Sequence, residues 1–384
     1  MSHANLHFAL ERLRDAAISS GQAGPRVLIV GPENAGKTSL AKLLTAYATR
    51  SGRPAVTVNL DPREGLLTIP GTFSAASFAT ILDVEAGWGS SPTNAPTHVP
   101  VKLPLVYFLG AETLEEDTTI SKPTVSRLAL SMLGRVQDDA RVRPAGCIID
   151  SPGSISQGQP NYDLMQHVIS EFQGKSEPLL CGQPRLTEAL VTVIVVLGSE
   201  RLYSDLLRRN NGQSTVGGDT ITVIKLDRSG GCVDRDEAFR QQCGQVQIKN
   251  YFFGDAKTTL SPHTQQVDFA QLAIFKLIRQ SPGDETSSFL PGGYESNDVN
   301  AASTIERIAS PTLQLQNALL AILHADPSDS PEEIRDSSVK GFVYVVEVDE
   351  LKKKVKVLAP ISGRLLDNPL LWSQYPEASP DLVG

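Results

Sequence analysis

The segment of the sequence that most clearly implies chemistry is Gly31-Pro32-Glu33-Asn34-Ala35-Gly36-Lys37-Thr38. It matches the pattern G-x-x-x-x-G-K-[ST], in which glycines let the backbone curl so that successive N–H groups point at a phosphate. The lysine of this pattern reaches the β- and γ-phosphates, and the Ser or Thr hydroxyl ligates Mg²⁺. We therefore expect ATP and Mg²⁺ to bind here, through Gly31, Glu33, Asn34, Ala35, Gly36, Lys37, Thr38 and Ser39.

Two aspartates follow apolar runs that are typical of buried strands. Asp61 ends the run Ala55–Leu60, and Asp150 ends the run Gly146–Ile149. In open α/β sheets, nucleotides bind at the carboxyl ends of the strands, so either acid is placed to orient Mg²⁺ beside Thr38. An acid at a strand end also commonly forms a turn, which leaves each aspartate open when taken alone.

Two arginines form a third group of candidates. Arg235 and Arg240 follow the turn Ser229-Gly230-Gly231 and would be able to cap the phosphates, as arginine clamps do. The alternative is a solvated helix face with local ion pairs. The residues alone favour that alternative.

The surrounding elements alternate between strand and helix. The strand Pro25–Val30 leads into the glycine loop, and a helix from Thr38 to Arg50 follows it. This alternation predicts an α/β fold: a P-loop NTPase domain with a mostly parallel central sheet, followed by a smaller mixed α/β C-terminal domain. The further predicted strands are Leu105–Leu109, Val191–Leu197, Thr220–Leu226, Gly341–Val348 and Lys353–Leu358, with short strands around Phe269–Ile278, and the predicted helices are Lys122–Leu133 and Tyr162–Phe172.

We divide the chain into three parts: an amphipathic N-terminal helix and linker at 1–24, the P-loop ATP-binding domain at 25–254, and the C-terminal domain at 255–384. Two segments rich in small and polar residues, Gly87–Pro104 and Ser281–Ser303, are expected to be loops.

Charge and hydropathy exclude several classes of protein. The net charge of -8 over 384 residues argues against nucleic-acid binding by bulk electrostatics, so any RNA contact is expected to be local or weak. The longest apolar run, Val191–Leu197, is too short to cross a bilayer, and no membrane association is expected. The four cysteines lack C-x-x-C spacing, which predicts plain thiols in a reducing compartment.

Several segments, together with the glycine loop, carry a family resemblance. They are Asn59-Leu60-Asp61, Ile69-Pro70-Gly71-Thr72, Pro104-Leu105-Val106-Tyr107, Ser229-Gly230-Gly231 and Tyr251-Phe252-Phe253-Gly254. The sequence resembles, over nearly its whole length, the Clp-type subunit of the pre-mRNA cleavage and polyadenylation machinery, a relative of polynucleotide 5′-hydroxyl kinases, and most of all its fungal members. The resemblance implies a nuclear protein with a Pcf-type partner subunit. It also implies a small N-terminal β-rich domain, which we expect to be absent because Met1 falls just before the P-loop domain.

The resemblance also assigns roles to residues. In kinase-active relatives, the acid matching Asp61 activates an RNA 5′-hydroxyl, and arginines matching Arg235 and Arg240 stabilise the transferred phosphoryl group. The same relatives carry a base-stacking tryptophan where this chain reads Asp150–Ser154, and a lysine-containing clasp where it has the acidic run Glu112–Asp117. We therefore expect an ATP-binding scaffold subunit of the mRNA 3′-end cleavage and polyadenylation factor without kinase turnover, in which Asp61, Arg235 and Arg240 are vestigial.

Two alternatives stay open at this stage. The first is an active polynucleotide 5′-hydroxyl kinase that transfers the γ-phosphate of ATP to RNA ends, since a scaffold and a kinase both need the loop lysine. The second is a P-loop ATPase that works on another partner. This alternative rests on fold analogy alone. Between the two aspartates, the resemblance ranks Asp61 above Asp150 for metal and nucleotide retention.

Overall fold

A computed structural model describes residues 2–78, 104–157, 161–172, 191–210, 221–254, 259–278, 305–360, 367–378 and 382. The two predicted loops, Gly87–Pro104 apart from its last residue and Ser281–Ser303, lie outside these ranges.

The N-terminal two thirds of the chain alternates between helices and strands. In chain order the elements are α1 (Ser2–Ser20), β1 (Arg26–Val30), α2 (Lys37–Arg50), β2 (Val56–Asn59), β3 (Thr72–Ser77), β4 (Leu105–Phe108), α3 (Thr118–Asp138), β5 (Cys147–Asp150), α4 (Asn161–Phe172), β6 (Val193–Leu197), α5 (Glu200–Asn210), β7 (Thr222–Leu226) and α6 (Glu237–Phe253). The predicted α/β class is confirmed. Strand β3 and helix α5 were not foreseen from the sequence.

The seven strands form one sheet in the order β4-β3-β2-β5-β1-β6-β7. The five strands from β2 to β7 run parallel, whereas β3 and β4 are antiparallel additions at one edge. Every residue of β1, β5 and β6 is buried, as expected for central strands covered by helices on both faces. The carboxyl ends of β1, β5 and β2 therefore lie side by side, and the glycine loop and both candidate aspartates follow them.

Helix α1 packs on the P-loop domain through its apolar face. Leu6 and Leu10 share a core cluster with Leu40 and Leu44 of α2. Arg14, on the same face, is buried, and its Nε donates a hydrogen bond of 2.9 Å to the carbonyl of Ala145. Part of the guanidinium is thus satisfied by the end of the loop that leads into β5.

The C-terminal part is built around a second sheet. Its elements are β8 (His263–Asp268), β9 (Ile274–Leu277), β10 (Ile305–Arg307), β11 (Ala318–Leu323), α7 (Pro331–Arg335), β12 (Val339–Asp349), β13 (Lys354–Ala359) and β14 (Leu370–Glu377). The order is β10-β9-β14-β11-β12-β13-β8, antiparallel except for the pair β14 and β9. In the described residues of this part, helical structure longer than a single 3₁₀ turn is limited to α7.

Helix α6 joins the two sheets. Tyr251 and Phe252, in its last turn, are fully buried against Phe342 and Tyr344 of β12, with ring centroids 5.7 Å and 6.4 Å apart for the two facing pairs. The N–H of Phe342 donates to the Tyr251 hydroxyl oxygen at 3.0 Å. One apolar core therefore runs through both parts of the chain. Among the described helices, none is long and apolar enough to cross a membrane.

Candidate nucleotide-binding site

The glycine loop connects β1 to α2 and adopts backbone angles that its glycines permit. Gly36 has φ +90° and Asn34 has φ +57°, both in the left-handed region. A Cβ added to Gly36 would lie 2.8 Å from the sulfur of Cys232, so this position is strained for any other residue and also sterically closed. The sequence of the loop is thus explained by its shape.

The side chain of Lys37 folds back against the glycine loop. The residue is only 7% exposed, and its ammonium donates to the carbonyl of Pro32 at 3.0 Å. Burying a cation is costly unless negative groups compensate for it. Both Asp61 and Asp150 provide such compensation, because Lys37 lowers the pKa of each of them.

Asp150 is the most deeply placed of the candidate residues. It ends β5, where the register sets it opposite Ile29 of β1 and Asn59 of β2, and it is fully buried. Burial raises the pKa of its carboxyl to about 7, although the nearby Thr38 hydroxyl and the Lys37 ammonium oppose this rise. Neither carboxylate oxygen receives a hydrogen bond of good geometry from the described residues.

A buried carboxylate without hydrogen bonds, beside the hydroxyl of a phosphate-binding loop, suits a hard divalent cation. Mg²⁺ is commonly held by one or two protein oxygens together with waters and substrate phosphates. No cluster of three or more His, Cys, Asp or Glu side chains with metal-binding geometry occurs among the described residues. Thr38 and Asp150 therefore fit Mg²⁺ that is shared with a nucleotide, and not a site built from protein ligands alone.

Asp61 lies at the same sheet edge but is held differently. It follows β2, and its Oδ1 accepts a 3.1 Å hydrogen bond from the N–H of Arg63. Burial, and then the charge of Glu64, raise the pKa of Asp61 to about 6. Thr38 is among the groups that act on Asp150 but not among those that act on Asp61. The ranking of Asp61 above Asp150 for metal and nucleotide retention stays a prediction.

The two arginines reach the loop from α6 and from the turn before it. Arg240 donates to Glu33 at 3.1 Å and to Asn34 at 3.3 Å, while Arg235 lies 3.5 Å from Glu64. Their partners are more than 170 positions away in the sequence, so the expectation of a helix face with only local ion pairs is wrong. Arg240 contacts the glycine loop, and both arginines line the cavity beside it.

These groups line one cavity of about 610 Å³, a volume that suits a nucleotide. Of the residues predicted from the sequence, Glu33, Asn34, Ala35, Gly36, Lys37, Thr38, Ser39, Asp61, Arg235 and Arg240 line it. Gly31 and Asp150 lie behind this lining. Arg63, Glu64 and Cys232 also line the cavity and were not predicted. The sequence signal for Arg63 and Glu64 was their closeness to Asp61.

The acidic run Glu112–Asp117 lies between β4 and α3. Glu112 pairs with Arg63 at 3.0 Å, Glu116 accepts from the N–H of Thr113 at 2.9 Å, and Asp117 caps α3 by accepting from the N–H of Thr119. Three of the four acids are thus engaged within the fold. The helix that the sequence placed at Lys122–Leu133 begins at Thr118 because of this cap.

Two family models and two curated relatives all name the same family of proteins. Residues 31–254 match the family described as mRNA cleavage and polyadenylation factor CLP1 P-loop, and residues 260–377 match the family described as Pre-mRNA cleavage complex II protein Clp1. The mRNA cleavage and polyadenylation factor of Botryotinia fuckeliana is 52% identical over 384 residues, which is all of this chain and 78% of the relative. That of Phaeosphaeria nodorum is 47% identical over 390 residues, again with all of this chain and 78% of the relative covered.

Solved structures give the same result. A structure of the extended interface between Pcf11p and Clp1p, which addresses the basis of ATP loss in a point mutant, aligns with a TM-score of 0.79 at 28% identity. The alignment covers 97% of this chain and 79% of that one. A wild-type Clp1p–Pcf11p complex aligns with the same score and identity, over 97% of this chain and 78% of the other.

Proposed function

Because the chain belongs to the Clp1 family of mRNA cleavage and polyadenylation factors, we propose that it is an ATP-binding scaffold subunit of the nuclear mRNA 3′-end cleavage and polyadenylation factor. Its partner in this proposal is a Pcf-type subunit, and its nucleotide is ATP with Mg²⁺. The names of the fungal relatives and the presence of Pcf11p in the similar solved complexes support the assignment. Nuclear localisation follows from the same role.

One observation carries the nucleotide part of the proposal. The buried Asp150 carboxylate lies beside the Thr38 hydroxyl of the glycine loop and receives no hydrogen bond of good geometry from the described residues. The backbone N–H groups of the loop and the start of α2 would face the phosphates, and Lys37 would exchange its bond to Pro32 for the β- and γ-phosphates. Thr38 and Asp150 would hold Mg²⁺, which supplies neutralising charge when bound.

We propose that kinase turnover is absent because the site lacks the aromatic that would hold an RNA 5′-hydroxyl acceptor. Phosphoryl transfer requires the acceptor hydroxyl to be held in line with the γ-phosphate. On the loop after β5, where kinase-active relatives carry a stacking aromatic, this chain has Gly153 and Ser154, and Gly153 packs directly against the backbone of Glu33. Stacking on an aromatic is worth about 1–3 kcal/mol per base, so losing it weakens the capture of an RNA end.

A second candidate, a polynucleotide 5′-hydroxyl kinase, has one observation in its favour. Asp61, Lys37, Arg235 and Arg240 all line the same cavity. Asp61 would accept the proton of the attacking hydroxyl, and the arginines would stabilise the charge that develops on the phosphoryl oxygens.

The deciding experiment uses one preparation for three measurements. The chain is purified and denatured, the released nucleotide is identified by chromatography, and the native protein is assayed for phosphorylation of a 5′-hydroxyl RNA with ATP and Mg²⁺. It is also co-purified with the Pcf-type subunit of a related fungus. The scaffold proposal expects ATP, a stable complex and no labelling above that of Lys37→Ala. Labelling that Lys37→Ala abolishes would establish the kinase instead.

A further inference from the structure

A row of alternating charges crosses one end of the nucleotide cavity. Glu112 contacts Arg63 at 3.0 Å, Arg63 lies 3.8 Å from Glu33, and Glu33 accepts from Arg240 at 3.1 Å. The four side chains come from the loop after β4, the loop after β2, the glycine loop and α6, and all four line the cavity. Glu33 is the centre of the row because it is shared by both arginines.

The position of Lys37 identifies which end of the nucleotide this row would face. The ammonium of Lys37 lies 3.0 Å from the carbonyl of Pro32, whose peptide bond leads directly into Glu33. A loop lysine contacts the β- and γ-phosphates, and not the nucleoside. Glu33 therefore lies at the terminal-phosphate end of the cavity.

The loop after β5 packs against one side of Glu33. A Cβ added to Gly153 would lie 2.6 Å from the Cγ of Glu33 and 2.7 Å from its backbone nitrogen, so the two residues are in close contact. Asn34, the next residue of the loop, shares the same Arg240 nitrogen at 3.3 Å. The loop thus presents two acceptors to one guanidinium, at the same end of the cavity as the Lys37 ammonium.

We propose that Glu33 is a specificity-determining residue of the nucleotide site that occupies Arg240 in place of the terminal phosphate, lowering the preference of the site for a nucleoside triphosphate over a diphosphate. A carboxylate and a phosphate compete for the same planar donors of an arginine. The carboxylate adds like-charge repulsion toward the terminal phosphate as well. Arg240 is thereby withheld from a phosphoryl group in transfer. The inference rests on the proposed nucleotide-binding function and extends it.

The test compares the affinities of the full chain for ATP and for ADP, each with Mg²⁺, by calorimetry. Glu33→Gln keeps the size of the side chain and removes its charge. We expect it to bind ATP about tenfold more tightly, the gain expected from one charge-assisted hydrogen bond, while ADP affinity changes less than twofold. In an Arg240→Gln background, the same substitution should raise ATP affinity by much less than tenfold, because only the like-charge repulsion is then relieved and no arginine is freed.

Two further variants complete the design. Asp268→Asn removes one negative charge from β8 of the C-terminal sheet, where Asp268 lies 3.7 Å from Lys354 of β13. This substitution should leave both affinities unchanged. Glu33→Ser provides a second way to remove the carboxylate, and melting curves verify that each variant is folded.

Equal gains for ATP and ADP, a gain of undiminished size without Arg240, or no gain for ATP in either folded Glu33 variant would each overturn the inference while leaving the proposed function intact. A parent chain that binds neither nucleotide would overturn both.

Discussion

Asp150→Asn should have opposite effects on the free protein and on its nucleotide complex. In the free protein, the fully buried Asp150 carboxyl has a pKa of about 7 and is ionised at pH 8, where the described residues give it no hydrogen bond of good geometry. The usual pKa of an aspartate is 3.8. Between pH 3.8 and about pH 7, Asp150 is therefore protonated in the folded state but ionised in the unfolded state. Stability is therefore lost as the pH rises through this window, and the full penalty is present above about pH 7.

The size of the effect follows from the interval. One pKa unit corresponds to about 1.4 kcal/mol, so the penalty is about 4 kcal/mol at pH 8 and about 2 kcal/mol at pH 5.5. The asparagine variant lacks this dependence. The free energy of unfolding of the variant minus that of the parent should therefore be about 2 kcal/mol larger at pH 8 than at pH 5.5. The cost of burying the amide is the same at both pH values and cancels from this comparison.

The assay is urea denaturation of nucleotide-free, Mg²⁺-free protein at both pH values, followed by the same measurement with Mg²⁺ and ATP. At a hundredfold excess over Kd, ligand binding stabilises the parent by about 3 kcal/mol. We expect Asp150→Asn to lose the Mg²⁺-dependent part of this stabilisation, and the exposed control Asp268→Asn to keep it. A variant whose stability follows that of the parent between the two pH values, or that retains the full response to Mg²⁺, would refute the placement of Asp150 as a buried cation ligand.

Three further outcomes are expected. Lys37→Ala should abolish the ATP-dependent stabilisation, which we expect to be about 3 kcal/mol for the parent at a hundredfold excess of ATP over Kd and which thermal melts measure; an unchanged response to ATP would remove the lysine from the site. Gly153→Ala should weaken ATP binding measured by calorimetry, because its Cβ would displace the glycine loop, whereas Gly134→Ala, with open space around the added carbon, should not; equal affinities for the two variants would contradict this. Tyr251→Phe should cost about 1–3 kcal/mol in urea denaturation, since it leaves the buried N–H of Phe342 without its partner; a neutral substitution would show that this hydrogen bond contributes nothing.

The glycine loop was predictable because its chemistry is local. Eight consecutive residues define the shape, and the strand before it and the helix after it are both visible in the hydrophobic pattern. Asp61 and Asp150 were found for the same reason, as acids at the ends of apolar runs. The sequence did not reveal which aspartate lies beside Thr38, because the contact of Asp150 with Thr38 depends on β5 lying beside β1 in the sheet.

Other features depend on small residues or on distant partners. Strand β3, with the sequence TFSAAS, carries little of the β-branched content that marks strands, and it was missed although its residues are almost all buried. The pairing of Arg240 with Glu33 joins positions 207 apart, which no local pattern reveals. The division of the chain at residue 254 stays a prediction, as do the contacts of the loop residues with phosphate.

Helix α6 has a further consequence for how this chain tolerates recombination. Its first turn carries Arg240 to the glycine loop, and its last turn buries Tyr251 and Phe252 under β12. Seventeen residues at 1.5 Å each span about 25 Å, so a single rigid rod has one end in each half of the molecule. A chimaera of two relatives that is joined just after Gly254 would match the α6 of one parent to the β12 of the other. Exchange between relatives should therefore succeed when the aromatic residues of α6 and β12 are inherited together, and it should yield insoluble chains when they are not.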